Sequence, residues 1–541
     1  MRKMFGCAVA AVSLPVMMLT VPQAAQSAPA EAAVKSARSS VTWKKCADQA
    51  LRHSGAQCAK VSVPLDYAKP NGKKIKIAIS RVKHSVRASR YQGVMLVNPG
   101  GPGGSGLSLS ALGQFVPKDA GRVYDWIGFD PRGVGDSEPA VSCDNTYAGA
   151  GYDRPAFVPR NSSIVPAWMK ITKTYTKACA KKNGAILEHL TTKEVARDMD
   201  SIRKALGQKK INYYGFSYGT YLGQVYTAKF PNRVRRMVFD GTVDPRGVWY
   251  QNNLQQNAPF DANINAWFGW IARHDSTYHL GATYEQVRAT FYATQEKLYG
   301  QPVDAGKGRK IGGSEWSDTY LSAGYNQSAW TGLAAVFAGF VNGGDVTTLN
   351  EAYLDASGYG DDNGYAVYLG VQCTDAGWPK SWTKWKRDND RIHAVAPYET
   401  WANAWYNEPC RHWPAKSHTP QKITGKNINN LLMINETLDA ATPYAGSLEV
   451  RKRFKKARLI AVPGGTSHSN SLNGNACVDD AIADFLLTGK KPARLPGNQA
   501  DATCAPLPEP EPGAPAASSL GAQSTGDGLT RLDLLKVATR P

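Results

Sequence analysis

Gly215-Phe216-Ser217-Tyr218-Gly219 spells G-x-S-x-G, with a strand-like segment before it and a helical one after it. That context is what a strained strand-to-helix turn needs to lift a serine hydroxyl above a sheet, at a helix start whose dipole favours an anion. The pattern is short, and an ordinary β-α turn holding a serine is the alternative. A serine hydroxyl attacks only when a histidine takes its proton and a carboxylate orients the histidine. Where the nucleophile sits in this pattern, the acid and then the histidine follow it in the chain. The chain has 9 histidines, and His468 in "GGTSHSN" follows the last strong strand on a glycine-rich loop. Asp439 in "INETLDAATP" lies after the preceding strand, with Thr442 placed to brace its loop. Asp240 is a rival acid and Glu436 a weaker one. The chemistry implied is acyl transfer through Ser217, Asp439 and His468.

Acyl transfer also needs two backbone donors for an oxyanion. Tyr218, directly after the serine, supplies one. The other is expected from "NPGGPGGSG" (Asn98 to Gly106), where Gly101 is the preferred donor and Gly100 the alternative. Gly101, Gly103 and Gly106 also match G-x-G-x-x-G, the turn of a dinucleotide site, and Asp125 lies about 20 residues on. Pro102 removes a donor from such a phosphate nest, and an exported enzyme seldom meets a nicotinamide pool. The loop is therefore assigned to the oxyanion, and no cofactor is expected.

The elements that must position these residues alternate. "KVSVPLDYA", "KIKIAISRV", "GVMLVNP" and "VYDWIGFDPRGVG" read as strands. "TTKEVARDMDSIRKALG" reads as a helix, with Thr191 and Glu194 at capping-box spacing and Val195, Met199, Ile202 and Leu206 on one face. Alternating strands and helices imply an α/β protein with a mostly parallel sheet. From 246 to 420 tryptophan and tyrosine become frequent with helical periodicity, which reads as an inserted, largely helical cap. The core thus spans 41–245 and 421–504, and a Pro/Ala/Ser-rich tail, 505–541, reads as disordered.

Residues 1–27 have the basic start, apolar stretch and small-residue end of a secretory signal peptide. Residues 28–40 read as a leader or propeptide. Setting Cys7 aside with the signal leaves Cys46, Cys58, Cys143, Cys179, Cys373, Cys410, Cys477 and Cys504. In an oxidising compartment an even, dispersed set reads as disulfides, and neighbour pairing closes the smallest loops. No pair has zinc spacing, so no metal is expected. The formal charge of +20 raises the question of nucleic acid, but the basic residues form short clusters without an aromatic platform. A solvated basic surface is the reading, with no nucleic acid and no stable membrane insertion.

The motifs together carry a resemblance. "VPLDYAKP", "NPGGPGGSG", "GFDPRGVGDS", "GFSYGTYLG", "QCTDAGWP", "WANAWYNEPC", "DAATP" and "GGTSH" are spread from about Val41 to Cys504. The chain resembles the secreted bacterial tripeptidyl aminopeptidases and related prolyl-aminopeptidase-like serine hydrolases of the α/β-hydrolase fold. Pro99 stands where the prolyl enzymes usually carry histidine, which favours the tripeptidyl branch. The resemblance implies the same trio, Ser217, Asp439 and His468, and cleavage near a free N-terminus with release of short peptides. Exopeptidases hold the substrate ammonium with carboxylates, and Asp375 in "QCTD" is either such an anchor or a structural carboxylate beside Cys373. Asp130 and Arg132 are expected to brace the sheet near the oxyanion loop. An esterase or lipase with the same trio is the rival activity, and a binding protein on an inactive scaffold is the rival class.

Overall fold

The computed structural model describes residues 41–147 and 154–513. The signal, the leader, Cys7 and residues 514–541 of the tail lie outside the described residues.

Among the described residues twelve strands are formed: β1 (Lys44–Lys45), β2 (Gln57–Pro64), β3 (Lys74–Val82), β4 (Val94–Asn98), β5 (Asp125–Phe129), β6 (Ile211–Phe216), β7 (Val234–Asp240), β8 (Val303–Asp304), β9 (Lys310–Ile311), β10 (Leu431–Glu436), β11 (Arg458–Val462) and β12 (Ala502–Thr503). Ten of them make one sheet in the order β1-β2-β3-β5-β4-β6-β7-β10-β11-β12, and β8 pairs with β9 in a separate hairpin. β1, β2, β3 and β5 pair antiparallel, and every pairing from β5 through β4 to β12 is parallel. β4, β5, β6 and β10 are buried along their whole length, as expected of strands covered on both faces.

The two faces follow from side-chain alternation. Met95, Val97, Tyr214, Phe216, Val238 and Leu432 point to one core, against Trp126, Ile482 and Phe485. Leu96, Tyr213, Met237, Phe239 and Met433 point to the other, against Val195, Met199, Ile202, Leu222 and Val225. The helix Thr192–Ala205 begins as its sequence predicts, with the Thr191 side chain accepting from Glu194 N. The reciprocal half of the capping box is replaced: the Glu194 carboxylate faces Arg132 at 3.5 Å and Arg197 at 3.4 Å, because two guanidinium groups attract it more than one backbone amide.

Between β7 and β10 the regular structure is helical apart from the β8-β9 hairpin, and residues 412–430 form a loop leading into β10. Trp267, Trp270, Phe291, Trp316, Tyr320 and Phe337 form an aromatic core of their own. The helix Asn363–Asp375 instead buries Val367, Leu369 and Val371 in the core beneath the sheet. The disulfides are Cys46–Cys58, Cys143–Cys179, Cys373–Cys410 and Cys477–Cys504, each between neighbours in sequence. No helix among the described residues is long and apolar enough to cross a membrane.

Strand order reverses around β4. From β4 the chain moves outward to β5 on one side and then returns to β6 on the other, so the loops leaving β4 and β6 flank a crevice at the carboxyl ends of the strands. Just outside β5, Arg132 is fully buried and all five of its N–H groups are used. Nε and Nη2 reach Asp198 at 2.7 and 2.8 Å, while Leu65, His189 and Pro64 carbonyls accept the rest. Both side chains are 0% exposed. Removing Asp198 takes the bidentate partner from a buried charge and leaves it only Glu194 at 3.5 Å. Asp198→Ala is therefore expected to lower the unfolding free energy by about 3–5 kcal/mol, measured by urea denaturation at neutral pH. A loss below about 1 kcal/mol would mean that the pair is not sequestered from water.

Candidate active site

Ser217 stands between β6 and the helix Tyr218–Lys229 with φ 52° and ψ −127°. Side chains are rarely held in this region, and local packing enforces it. A Cβ on Gly219 would lie 2.7 Å from the Asn98 carbonyl oxygen, and one on Gly215 would lie 2.6 Å from the Gly219 carbonyl oxygen. The two glycines of the motif are thus the residues that let strand, turn and helix approach closely. Ser217 N donates to the Asp240 carbonyl at 3.0 Å, tying the turn to β7.

The loop after β4 packs directly behind the serine. Gly100 has φ +106°, and a Cβ there would lie 2.8 Å from Ser217 Cβ and 3.1 Å from Tyr218 N. Gly100 N–H already donates to Asn98 Oδ1 at 3.2 Å, whereas Gly101 lines the cavity beside Ser217 and Tyr218. Tyr218 N–H belongs to the first turn of its helix, where backbone donors have no intrahelical acceptor. Asp130 holds the far end of the loop by accepting from Ser105 Oγ at 2.6 Å and Gly106 N at 3.0 Å. Burial pushes its carboxyl up to about 6.

The acid and the histidine come from the loops after β10 and β11. His468 Nδ1 lies 2.9 Å from Asp439 Oδ1 and 2.8 Å from Oδ2. Thr442 fixes the same carboxylate, its N–H donating to Oδ1 at 2.9 Å and its hydroxyl to Oδ2 at 2.7 Å. Asp439 is buried, and Nδ1 donation to it would leave Nε2 as the basic nitrogen. Ser217, Tyr218, Gly101, Thr442 and His468 all line one cavity of about 340 Å³. An attacking hydroxyl, an oriented base and backbone donors around one space are equipped for acyl transfer.

The other acids named from the sequence do different work. Asp240 accepts from Ser471 N at 2.8 Å and Ser471 Oγ at 2.6 Å, holding the chain beyond His468. Glu436 meets the same loop on its near side. Asp375 does not line the cavity. Its carboxylate accepts from Thr192 N at 2.8 Å, Thr192 Oγ1 at 2.5 Å and Trp249 Nε1 at 3.3 Å, and burial pushes it up to about 6. Thr192 Oγ1 also lies 2.8 Å from Tyr218 OH, so Asp375 braces the residue after the serine from behind. These bonds run to Thr192 and Trp249, neither into the cavity nor to the Cys373–Cys410 bridge.

Some residues of the site carried no sequence signal. Asn263, in the helix Tyr250–Arg273, points its Nδ2 at the carbonyls of Gly324, Leu438 and Thr466, at 3.1, 3.0 and 3.2 Å. One amide thus ties the acid loop and the histidine loop to the helical region. His468 N donates to the Tyr325 carbonyl at 2.8 Å. Glu399, at the start of the helix Thr400–Asn407, lines the cavity and is 6% exposed. The cavity's other carboxylate, Asp244, is paired with Arg246, whose side chain is 53% exposed. The same lining thus holds a partly solvated ion pair and a buried carboxylate.

Fold and site together define a serine hydrolase of the α/β-hydrolase class, and the comparisons carry this further. Residues 93–338 match the family model of the alpha/beta hydrolase fold, and residues 396–504 match that of the TAP-like proteins. Tripeptidyl aminopeptidase of Streptomyces lividans is 40% identical over 491 residues, covering 89% of this chain and 89% of that one. Serine protease Hip1 of Mycobacterium tuberculosis is 29% identical, covering 84% and 89%. Carboxylesterase B of the same species is 30% identical, covering 83% and 88%. The chain belongs to the tripeptidyl-aminopeptidase-like family of α/β hydrolases and is a serine peptidase of that class.

The packing at Gly100 makes one prediction. A methyl group there meets Ser217 Cβ and the Phe216 carbonyl, each at 2.8 Å, on a backbone with φ +106°. Gly100→Ala is expected to slow fluorophosphonate labelling of Ser217 by about a hundredfold, while the circular dichroism spectrum stays that of the wild type. Labelling at the wild-type rate would show that the loop can retreat freely.

Proposed function

We propose that the protein is an exported tripeptidyl aminopeptidase that acts through Ser217, His468 and Asp439. The observation that carries this reading is one cavity lined by Ser217, by His468 and by the buried Glu399 carboxylate. A peptide enters with its free ammonium toward Glu399, and its chain leaves past the Asp244–Arg246 pair. A buried carboxylate favours a charged amine over a blocked one, because the ammonium forms a charge-assisted hydrogen bond that an acetylated nitrogen does not. The length of the cavity between anchor and serine then sets how many residues are released.

In the first half-reaction Ser217 Oγ attacks the scissile carbonyl as His468 Nε2 takes its proton, and Asp439 stabilises the imidazolium. The N–H groups of Gly101 and Tyr218 receive the oxyanion. His468 then protonates the departing amine. Water repeats the sequence on the acyl-enzyme and frees the short peptide. The helical segment 246–420 acts as the cap over the core of 41–245 and 421–504. Export is supported by the four disulfides, which persist in oxidising compartments.

The test compares a tripeptide p-nitroanilide, its N-acetylated form and a p-nitrophenyl ester. The free tripeptide is expected to be turned over and the acetylated one spared, with product mass spectrometry showing tripeptides. Equal turnover of the acetylated substrate would remove the free N-terminus from the reading, and turnover of the ester alone would overturn it in favour of an esterase. Ser217→Ala is expected to lower kcat by about 10⁴-fold or more. Glu399→Gln is expected to raise KM for the free tripeptide about thirtyfold, the loss of roughly 2 kcal/mol of buried charge pairing, and to leave fluorophosphonate labelling unchanged. An unaltered KM would remove Glu399 as the anchor.

A further inference from the structure

Glu436 ends β10, three positions before Asp439, and its carboxylate is buried at 7% exposure. Among the described residues it forms no ion pair with a lysine, arginine or histidine. Its two oxygens instead take donors from the histidine loop. Ser467 N donates to Oε2 at 2.5 Å, and Asn470 Nδ2 donates to Oε1 at 2.8 Å. Ser467 immediately precedes His468 and Asn470 follows it by two, so the carboxylate grips the loop on both sides of the imidazole. The loop is pressed against it, since a Cβ on Gly465 would lie 2.5 Å from Oε2. Asn473 Nδ2 donates to Asn470 Oδ1 at 2.9 Å, which turns the Asn470 amide so that its NH₂ faces Glu436.

Two converging donors need an acceptor at each end and a hydrogen at neither. A carboxylate anion supplies that, while a glutamine or a protonated glutamate sets a hydrogen against one of the donors. The charge is unwelcome there on every other ground. Burial raises the carboxyl to about 7, and Asp240 at the end of β7 and Asp439 in the following loop add repulsion, opposed by the bonds from Asn470 and Ser467. A group that the fold resists, placed to grip the chain around one histidine, calls for a functional account.

We infer that Glu436 is a positioning residue whose anionic carboxylate holds the backbone on both sides of His468, keeping the imidazole against Asp439 and facing the cavity. The inference rests on the proposed role of His468 as the base.

Glu436→Gln is the test, with Asn470→Ala as a second variant that keeps the carboxylate and removes one donor. In Glu436→Gln, kcat for the tripeptide anilide at pH 8 is expected to fall about ten- to hundredfold, with KM unchanged. The acidic limb of the wild-type kcat profile is expected to include the protonation of Glu436 near pH 7 and to lose that contribution in the variant. In Asn470→Ala the carboxylate loses a bond that favours its ionised form, so that limb is expected to move to higher pH. Stability should move the opposite way from activity. The folded protein keeps the Glu436 proton between the ordinary glutamate range and about 7, so wild-type stability falls as pH rises through that window. A glutamine does not ionise, so the variant should gain in Tm over the wild type between pH 5 and pH 8. Wild-type kcat and an unchanged limb in both variants would overturn the inference. His468→Ala separates the levels: if it retains turnover, the assignment of the base fails; if it is inactive while Glu436→Gln is fully active, only the role of Glu436 fails.

Discussion

Ser217 is held at φ 52° and ψ −127°, a conformation that costs about 1–3 kcal/mol and persists only when its surroundings over-determine it. The surroundings are two adjacent parallel strands. β4 and β6 pair in a register that sets Val97 against Tyr214 and Asn98 against Gly215, so both chains leave the sheet side by side. The glycine-rich loop then packs behind the serine and the helix Tyr218–Lys229 in front of it. Gly100, Gly215 and Gly219 are each positions where one methyl group would force these pieces apart. The arrangement requires that the sheet be parallel here, because only parallel strands deliver successive loops to the same end.

The sheet alone does not settle the histidine. His468 lies on a loop whose contacts come from three directions: Asp439 at its ring, Glu436 beneath, and the Tyr325 carbonyl at its own N–H. Asn263 joins the acid loop and the histidine loop to the same helical region. The helices that wall the cavity are therefore also part of what orders the reacting groups. Lining the cavity and holding the loops of Asp439 and His468 are one packing problem.

Buried carboxylates recur around this centre. Asp130, Asp375 and Glu436 each have a carboxyl raised by burial, and each accepts from donors on a loop or helix start near Ser217 or His468. Arg132 and Asp198 show the other way of burying charge, by pairing it and satisfying every donor. The pair braces the core, whereas the carboxylates without a cation partner take up backbone N–H groups that irregular loops leave over. Such loops cannot satisfy their own donors as helices and strands do, and a carboxylate takes two or more at once.

Much of this was legible in the residues themselves. G-x-S-x-G is a local steric requirement, and the order of serine, acid and histidine follows from strands that deliver loops in sequence. Asp439 and His468 were readable because each follows an apolar run long enough to be a buried strand. The capping threonine at 191 was also visible, since capping needs only neighbours. Asp375, the Arg132 contact of Glu194 and the place of Glu399 at the cavity were not, because they depend on residues far off in sequence that only the fold brings near. The amino-acid sequence by itself determined the strand-turn-helix around Ser217, the parallel class of the sheet and the order in which the loops of Ser217, Asp439 and His468 leave it, all governed by short-range sterics and periodicity. Tertiary structure alone decided that Asp375 braces Tyr218 from behind, that Glu399 reaches the cavity and that Glu436 grips the histidine loop, because hydrogen bonds and charge pairing depend on distances that only the packed chain defines.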